Sequence, residues 1–174
     1  MPTLANLLDR MTIKVVSPDG NIRAGVSGPR LDMSLDFRPG SYHRYDDTTM
    51  EHQLAKLATL LWTGYQRGYE NATAQAGLEV ISDPVDDTFR AFLRGQSTIT
   101  AHGESSDKTV RATSTGLLEW AFHIKPGSLS RLRENEFKPH LLEAARAVLN
   151  DHNESVERLR IECLTTIVAN APKI

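Results

Sequence analysis

Two stretches of the chain alternate apolar and polar residues with a period of two, which is typical of strands that bury one face. The first runs from Leu31 to Phe37 and the second from Leu118 to Ile124. In each, every second side chain is apolar and is expected to face a core, while side chains such as Asp36 point outward. The pattern therefore predicts two similar strands in two different parts of the chain.

These strands belong to a longer repeat in which matching residues lie 87 positions apart. Residues 31–45 and 118–132 both contain a Pro-Gly-Ser turn. Basic residues flank the turn at matching positions, Arg38 and Lys125 before the proline, Arg44 and Arg131 after the serine. Self-similarity at a fixed spacing indicates duplication of one structural unit.

After each turn, apolar residues recur every three or four positions, which predicts a long amphipathic helix in each half of the chain. In the first half this stripe consists of Met50, Leu54, Ala58, Leu61, Tyr65, Tyr69, Ala72 and Ala76. In the second half it consists of Phe137, Leu141, Ala145, Val148, His152, Val156, Leu159 and Cys163, each 87 positions later. Because proline is well tolerated only in the first turn of a helix, Pro139 places the start of the second helix near Glu136.

The segment before each of these strands predicts a hairpin preceded by a short helix. In the first half, the sequence Pro-Asp-Gly-Asn at residues 18–21 is a strong turn signal. The expected strands are 12–17 and 22–27 in the first half, and 97–103 and 108–114 in the second, where residues 104–107 form the turn. The short helices are expected at residues 4–10 and 89–95.

The whole pattern predicts an α+β protein of two repeated α-β-β-β-α units. Each unit has an antiparallel three-stranded meander and ends in a long helix. The first unit is expected to span residues 1–82 and the second 83–174, with a polar, proline-bearing joint at 81–84. Because one small sheet with one helix leaves apolar surface uncovered, we expect the units to pack as an intramolecular pseudo-two-fold dimer.

Composition and charge describe the setting in which the protein works. The chain has 20 lysines and arginines against 22 aspartates and glutamates, so no strong positive field is expected. Its one cysteine, Cys163, excludes an internal disulfide and is expected in the core. With neither a signal peptide nor a membrane-spanning stretch, the sequence predicts a cytoplasmic protein.

The segment from Ser114 to Leu159 contains a strand, an Ile-Lys-Pro-Gly-Ser-Leu turn, an acidic helix start and an alanine-rich helix. This order resembles the YbaB/EbfC family of small bacterial nucleoid-associated proteins. The resemblance implies a non-enzymatic protein without a cofactor that binds double-stranded DNA weakly and without sequence preference. Because family members usually dimerise, it also implies a monomer equivalent to a family dimer, or a further homodimer. Similar units in actinobacterial proteins associated with type VII secretion imply an alternative, a protein-binding accessory or adaptor.

The matched basic residues are the candidates for DNA binding, because cations at symmetric positions can meet phosphates at two points along a duplex. They are Arg38, Arg44, Lys125 and Arg131. The alternative is that these side chains secure their turns by bonding to nearby carbonyl or carboxylate groups. Acidic residues on the outward face of the same strands, including Asp36 and Glu119, oppose a phosphate backbone there.

An aromatic cluster with helical spacing, formed by Trp62, Tyr65 and Tyr69, occurs only in the first half. Gly64 and Gly68 flank the cluster and thin one side of the helix, so another helix is expected to approach closely. The cluster is either a protein-binding surface, where aromatic anchors are enriched, or an internal contact between the two long helices.

Neither metal binding nor catalysis is predicted. The six histidines lack the spacing of zinc ligands, and His152 on the apolar stripe is expected to be a hydrogen-bonded core residue. Ser41 and Ser128 each follow a glycine, but no nucleophile elbow or phosphate-binding loop surrounds them. The residues therefore favour a binding protein over an enzyme.

Overall fold

The structure is a computed structural model that describes residues 2–78 and 87–169, with the side chains of the last helix described through Thr165. It is an α+β fold, as the sequence predicted, and each half has a short helix, three strands and a long helix. The first half contains α1 (Leu4–Asp9), β1 (Thr12–Val16), β2 (Ile22–Ser27), β3 (Asp32–Phe37), a 3-10 helix (Tyr42–Arg44) and α2 (Asp47–Gln75). The second half contains α3 (Asp87–Thr98), β4 (Thr100–Glu104), β5 (Val110–Thr115), β6 (Glu119–Ile124), α4 (Ser128–Arg131) and α5 (Glu134–Ala169).

The strands form two three-stranded antiparallel sheets, in the orders β1-β2-β3 and β4-β5-β6. The connection between β2 and β3 has four residues, whereas that between β5 and β6 has three. Matching residues are therefore 88 positions apart in the first two strands of each sheet and 87 apart from the third strand onward.

The second hairpin is displaced from its predicted position. Strand β4 begins three residues later than expected, at Thr100, because Ser97 and Thr98 complete helix α3. Strand β5 begins two residues later than expected, at Val110. The turn accordingly lies at residues 105–109. Its sequence, Ser-Ser-Asp-Lys-Thr, lacks the proline and glycine that identify the first turn, so the boundary was less visible in the sequence.

Both hairpin turns are held by a serine and an aspartate two residues later. Ser17 Oγ donates a hydrogen bond to Asp19 and accepts one from the backbone N–H of Ile22 at 2.9 Å. The equivalent bonds of the second turn join Ser105 to Asp107 at 2.8 Å and Val110 to Ser105 at 3.0 Å. A short polar side chain that bonds to its own turn favours this geometry, so the two hairpins share a local cause.

The core lies between the sheets and the two long helices. Each long helix packs on the first two strands of its own sheet and on the third strand of the other sheet. Matching positions are buried alike, since Met50 and Phe137 are both 0% exposed and Leu54 and Leu141 are both 3% exposed. Full burial of a side chain of this size contributes roughly 1.5–3 kcal/mol. The apolar stripes predicted from the sequence therefore face the core over their first turns.

Contacts between the halves recur at positions 87 residues apart. Lys138 of α5 pairs with Asp36 of β3 at 3.1 Å, and Glu51 of α2 approaches His123 of β6 at 3.4 Å. Lys138 and Glu51 are matching positions, as are Asp36 and His123, so the acidic and basic partners are exchanged between the two sites. A second matched pair joins Arg146 to the Leu31 carbonyl and Thr59 to the Leu118 carbonyl, the latter at 2.7 Å.

Two sequence predictions about the long helices are wrong. Helix α5 begins at Glu134, so Pro139 lies beyond the first turn and removes one intrahelical donor. Gly64 and Gly68 face the side chains of Ile13 and Met11 at the β1 edge, so a strand and not a helix approaches there.

Two further predictions concern the burial of Cys163 and the joint between the halves. Cys163 is half-buried and lies outside the apolar core, which among the described residues of α5 extends only to Leu149. The predicted joint at 81–84 lies outside the described residues.

Candidate functional site

An open cleft lies where helices from both halves meet, and we call it the aromatic cleft. It has a volume of about 470 Å³, within the range of roughly 300–1,000 Å³ that is typical of ligand sites. Its apolar walls are Trp62, Tyr65 and Tyr69 of α2, Leu93 of α3 and the loop of residues 116–118. Its polar groups are Gln66 of α2, Gln96 and Ser97 of α3, and His152 of α5. The three aromatic residues singled out in the sequence are thus gathered on one wall.

Stacked rings form the base of this wall. The indole of Trp62 stacks on that of Trp120 in β6, with ring centroids 6.4 Å apart, and Trp120 stacks on Phe122 at 5.9 Å. Tyr65 meets Trp62 edge to face at 5.6 Å. Aromatic pairs in these geometries contribute about 0.5–1.5 kcal/mol beyond their burial, so the wall is a fixed surface.

The loop of residues 116–118 is held in place from two sides. Trp120 Nε1 donates a hydrogen bond to the Leu117 carbonyl at 2.8 Å. Gly116 has a φ of 59°, and a Cβ atom there would lie 2.5 Å from the Ser97 carbonyl at the end of α3. Only glycine fits this contact without a shift of backbone, so the loop and α3 form one continuous side of the cleft.

His152 is the buried polar group of the cleft. It is 5% exposed, and among the residues that the structure describes its Nδ1 has no hydrogen-bond partner. Burial lowers the pKa of the imidazole and outweighs the opposing effect of Asp151, so the ring is neutral at pH 7. The prediction of a buried histidine is confirmed, but the prediction that it is hydrogen-bonded is wrong for this nitrogen.

The mouth of the cleft exposes large apolar side chains from three elements. Tyr69 is 43% exposed, Leu93 38% and Leu118 44%. Trp62 is 6% exposed and Tyr65 is half-buried, and burial raises the pKa of Tyr65. Trp62 therefore packs on β6 and Tyr65 packs on Trp62, while Tyr69 lies at the mouth of the cleft. The two interpretations of the cluster, a protein-binding surface and an internal contact between the long helices, both stay predictions.

Sequence reasoning did not connect α3 and His152 with this cluster. Leu93 was noted only as part of a short helix, and Gln96 and Ser97 were not singled out. One signal was available, because His152 and Tyr65 occupy matching positions 87 residues apart, and each carries a polar group on a largely apolar stripe. His152 and Tyr65 line the same cleft because of the way the two halves pack together, and local sequence patterns do not specify this packing.

The four candidate DNA-binding cations, Arg38, Arg44, Lys125 and Arg131, are all exposed. Two contacts bring their turns together, the Tyr42 hydroxyl bond to the Leu132 carbonyl at 3.0 Å and the Asp47 carboxylate bond to Gly127 N–H at 3.1 Å. Within the described parts of the chain, none of the four side chains makes a hydrogen bond or ion pair. The alternative interpretation, in which these four side chains stabilise their turns by hydrogen bonds or ion pairs, is therefore not supported by any contact among the described residues.

Acidic residues share this end of the molecule. Burial of Tyr42, followed by the nearby carboxylates of Glu134, Asp47 and Glu136, raises the pKa of its hydroxyl to about 12. These carboxylates occupy the first turns of the two long helices, where they offset the positive helix ends. The surface is consequently mixed in charge, as the overall balance of the sequence suggested.

The serines of both Pro-Gly-Ser turns, Ser41 and Ser128, are buried. Ser41 is 3% exposed, and its hydroxyl donates to the Arg38 carbonyl at 2.7 Å, which fixes the turn. Over the described residues, no group of three or more histidine, cysteine, aspartate or glutamate side chains is placed to hold a metal ion. In the same residues, no helix combines the length and apolarity needed to cross a membrane.

Comparisons with known proteins provide no relative for this chain. No family model, no curated protein and no solved structure matches it. The resemblance to the YbaB/EbfC family accordingly stays an expectation from the sequence.

Proposed function

We propose that this is a non-enzymatic binding protein whose aromatic cleft takes up an apolar side chain of a protein partner. The observation that carries the proposal is the exposure of Tyr69, Leu93 and Leu118 around the cleft mouth, because each comes from a different element. Exposed apolar groups that converge on one concave site are typical of protein–protein contacts.

The interior of the cleft supports the same proposal. None of its lining residues, all of which are described, carries a carboxylate, ammonium or guanidinium group. Aromatic residues in a rigid pocket are the most frequent energetic centres of protein interfaces. The buried stack of Trp62, Trp120 and Phe122 supplies such a rigid base.

The test begins with a photo-crosslinking residue, benzoylphenylalanine, placed at Tyr69 or, as a control, at Leu60 of the same helix. Both positions are similarly exposed, at 43% and 46%. A protein crosslinked from Tyr69 and not from Leu60 in cells of the natural host is then purified and its affinity measured by calorimetry. We expect the double change Tyr69→Ser, Leu93→Ser to weaken binding at least about tenfold.

The matched control is the double change Leu60→Ser, Ile161→Ser, which removes two exposed apolar side chains away from the cleft. We expect it to leave the affinity within about twofold. Equal losses for the two double variants would refute a role for the cleft.

A second candidate function is weak binding of double-stranded DNA, as the resemblance implies. Four exposed cations at one end of the molecule, none with a hydrogen bond or ion pair from its side chain within the described residues, favour it. We expect anisotropy of a mixed-sequence duplex to show binding that weakens with salt and is lost in Arg44→Glu, Arg131→Glu. Binding should persist in Lys56→Glu, Arg67→Glu, which reverses two exposed charges on α2. An absence of binding at low salt would contradict this function.

We infer in addition that the chain arose by duplication of one YbaB-like unit, residues 1–82 and 83–174, packed about a pseudo-two-fold axis. The contacts at matching positions support this inference, above all the exchanged pairs Lys138–Asp36 and Glu51–His123. The shared serine–aspartate turns support it independently.

A further inference from the structure

His152 introduces a polar group where the rest of the stripe on α5 is apolar. Its neighbours on that stripe, Val148 and Val156, are aliphatic, and Val148 is 0% exposed. A buried nitrogen without a hydrogen-bond partner is destabilising, and an aliphatic side chain at this position would avoid that penalty. The imidazole therefore does not improve the packing of the core, which suggests that it acts on what enters the cleft.

The neutral imidazole has defined bonding capacity. It offers one nitrogen that donates a hydrogen bond and one that accepts. The torsion that turns the ring about its Cβ–Cγ bond is broad and two-fold, so rotation can present a nitrogen to the cleft. His152 is thus able to bond to an occupant without a change in the backbone of α5.

The other walls limit the chemistry of that occupant. Three aromatic side chains and three leucines favour a flat apolar ring, and the absence of charged lining residues disfavours a charged one. Gln66, Gln96 and Ser97 provide amide and hydroxyl groups that can bond to peptide groups beside the ring. Tryptophan and tyrosine combine a large uncharged aromatic ring with one hydrogen-bond donor, and both rings are more apolar than a neutral imidazole.

We propose that His152 is the specificity-determining residue of the aromatic cleft and accepts a hydrogen bond from the indole N–H or phenol O–H of a tryptophan or tyrosine of the partner. This inference rests on the proposed function, since it names the side chain that a protein partner inserts. A phenylalanine of similar size cannot donate this hydrogen bond, leaves the imidazole unpaired and therefore binds more weakly.

The experiment uses the full chain and two model side chains, N-acetyl-tryptophanamide and its 1-methylindole derivative, which lacks the N–H donor. Affinities are measured by NMR titration, with the imidazole nitrogen shifts of the six histidines as a second readout. We expect the methylated probe to bind about fivefold to tenfold more weakly, as the loss of one hydrogen bond implies. Only the His152 nitrogens should shift on binding.

A variant separates hydrogen bonding from the bulk of the methyl group. In His152→Phe the two probes should bind with nearly equal affinity, because the acceptor is gone, whereas a steric effect of the methyl group would persist. The wild-type affinity ratio and the nitrogen shifts decide the question even if this variant does not fold.

Each other result counts against the proposal. Equal binding of both probes to the wild-type protein, or unchanged His152 nitrogens, overturns the role of His152 while leaving the crosslinking test of the cleft intact. Binding of free indole without binding of the capped amino acid overturns a protein side chain as the occupant and identifies a small-molecule site. Failure of both probes to bind also overturns it, and crosslinking from Tyr69 then decides separately whether a partner uses the cleft.

Discussion

The long helices α2 and α5 occupy matching places and bury matching residues at their starts, yet they meet the edge of their own sheets differently. In α2 the small residues are on the helix, where Gly64 and Gly68 face the side chains of Ile13 and Met11. In α5 the small residue is on the strand, where Gly103 of β4 lies directly against the helix backbone.

The two junctions therefore differ in how closely the backbones approach: at Gly103 the backbone of α5 lies against the strand, whereas at Gly64 and Gly68 only side-chain atoms from the β1 region come near the helix. Where α2 has Gly64, α5 has Asp151, which accepts a hydrogen bond from the edge N–H of His102 at 2.8 Å. At the second junction, Asp151 adds a hydrogen bond to the free edge of β4, and Gly103 leaves the strand without a side chain at the contact. At the first junction, every residue of β1 has a side chain, and it is the helix that has glycines at the contact. Equivalent positions in the two halves therefore should not respond equally to mutation.

The largest effect is expected at Gly103. A Cβ atom there would lie 2.3 Å from the Ala144 carbonyl oxygen and 2.5 Å from the Val148 nitrogen, both helix backbone atoms that cannot move alone. We expect Gly103→Ala to lower the free energy of unfolding by about 3 kcal/mol or more. Urea denaturation followed by circular dichroism measures it.

Gly64→Ala is the matched control for this comparison. The added Cβ would lie 2.9 Å from one side-chain atom, the Cγ2 methyl carbon of Ile13, which a small shift of the edge strand can relieve, and alanine is the better helix former. We expect a change within about 1 kcal/mol. Similar losses at both glycines would show that the two junctions are not built differently.

An intermediate effect is expected at the aspartates of the two hairpin turns. Burial alone would raise the pKa of Asp107, but hydrogen bonds from Thr109 and Ser105, with His140 nearby, outweigh it and lower the pKa to about 2. A carboxylate whose pKa is lower in the folded state stabilises the fold above its unfolded pKa, and this contribution is lost between about pH 4 and pH 2.

Asp107→Asn should therefore destabilise the protein by about 1 kcal/mol at pH 7, a value reduced for solvent screening because the side chain is 40% exposed. Near pH 2 the variant and the wild type should unfold at the same urea concentration. Asp19→Asn should follow the same direction, since hydrogen bonds from Ser17, Tyr45 and Asn21 likewise lower the pKa of Asp19 against the effect of burial. A loss that is independent of pH would contradict the ionic origin.

The smallest effect concerns the exchanged pairs between the halves. Lys138 and Asp36 are 3.1 Å apart and partly exposed, so each single charge reversal should cost about 0.5 kcal/mol. The double reversal Lys138→Glu, Asp36→Lys reproduces the polarity of Glu51 and His123 and should recover most of that loss. A double-mutant cycle from urea unfolding measures the coupling free energy between Lys138 and Asp36. A value of zero would mean that the two side chains are close together without stabilising the fold.

Much of the architecture was predictable because its causes are local. The alternation from Leu31 to Phe37, the Pro-Asp-Gly-Asn turn and the three- and four-residue spacing after Met50 each specify an element from neighbouring residues alone. Prediction was poorer where the local sequence signal was weak, or where a tertiary contact determined the bounds of an element. The second hairpin lacks glycine and proline in its turn, and the core around Phe137 maintains a helix that already contains Pro139 beyond its first turn.

The candidate site was predicted only in part for a related reason. Trp62, Tyr65 and Tyr69 were visible as a helical cluster, and His152 was visible as a polar residue in an apolar stripe. Their shared cleft arises because α2 crosses to β6 of the other sheet and α3 packs on α5. No spacing within the chain encodes that crossing directly.

The stack beneath the cleft gives the protein a built-in optical reporter. The chain has two tryptophans, Trp62 and Trp120, and both indoles lie in that one stack. Tryptophan emission, selected by excitation at the red edge of the absorption band, thus originates at the base of the cleft and nowhere else in the molecule. Its colour and lifetime are a label-free signal of whether the cleft is wet or filled.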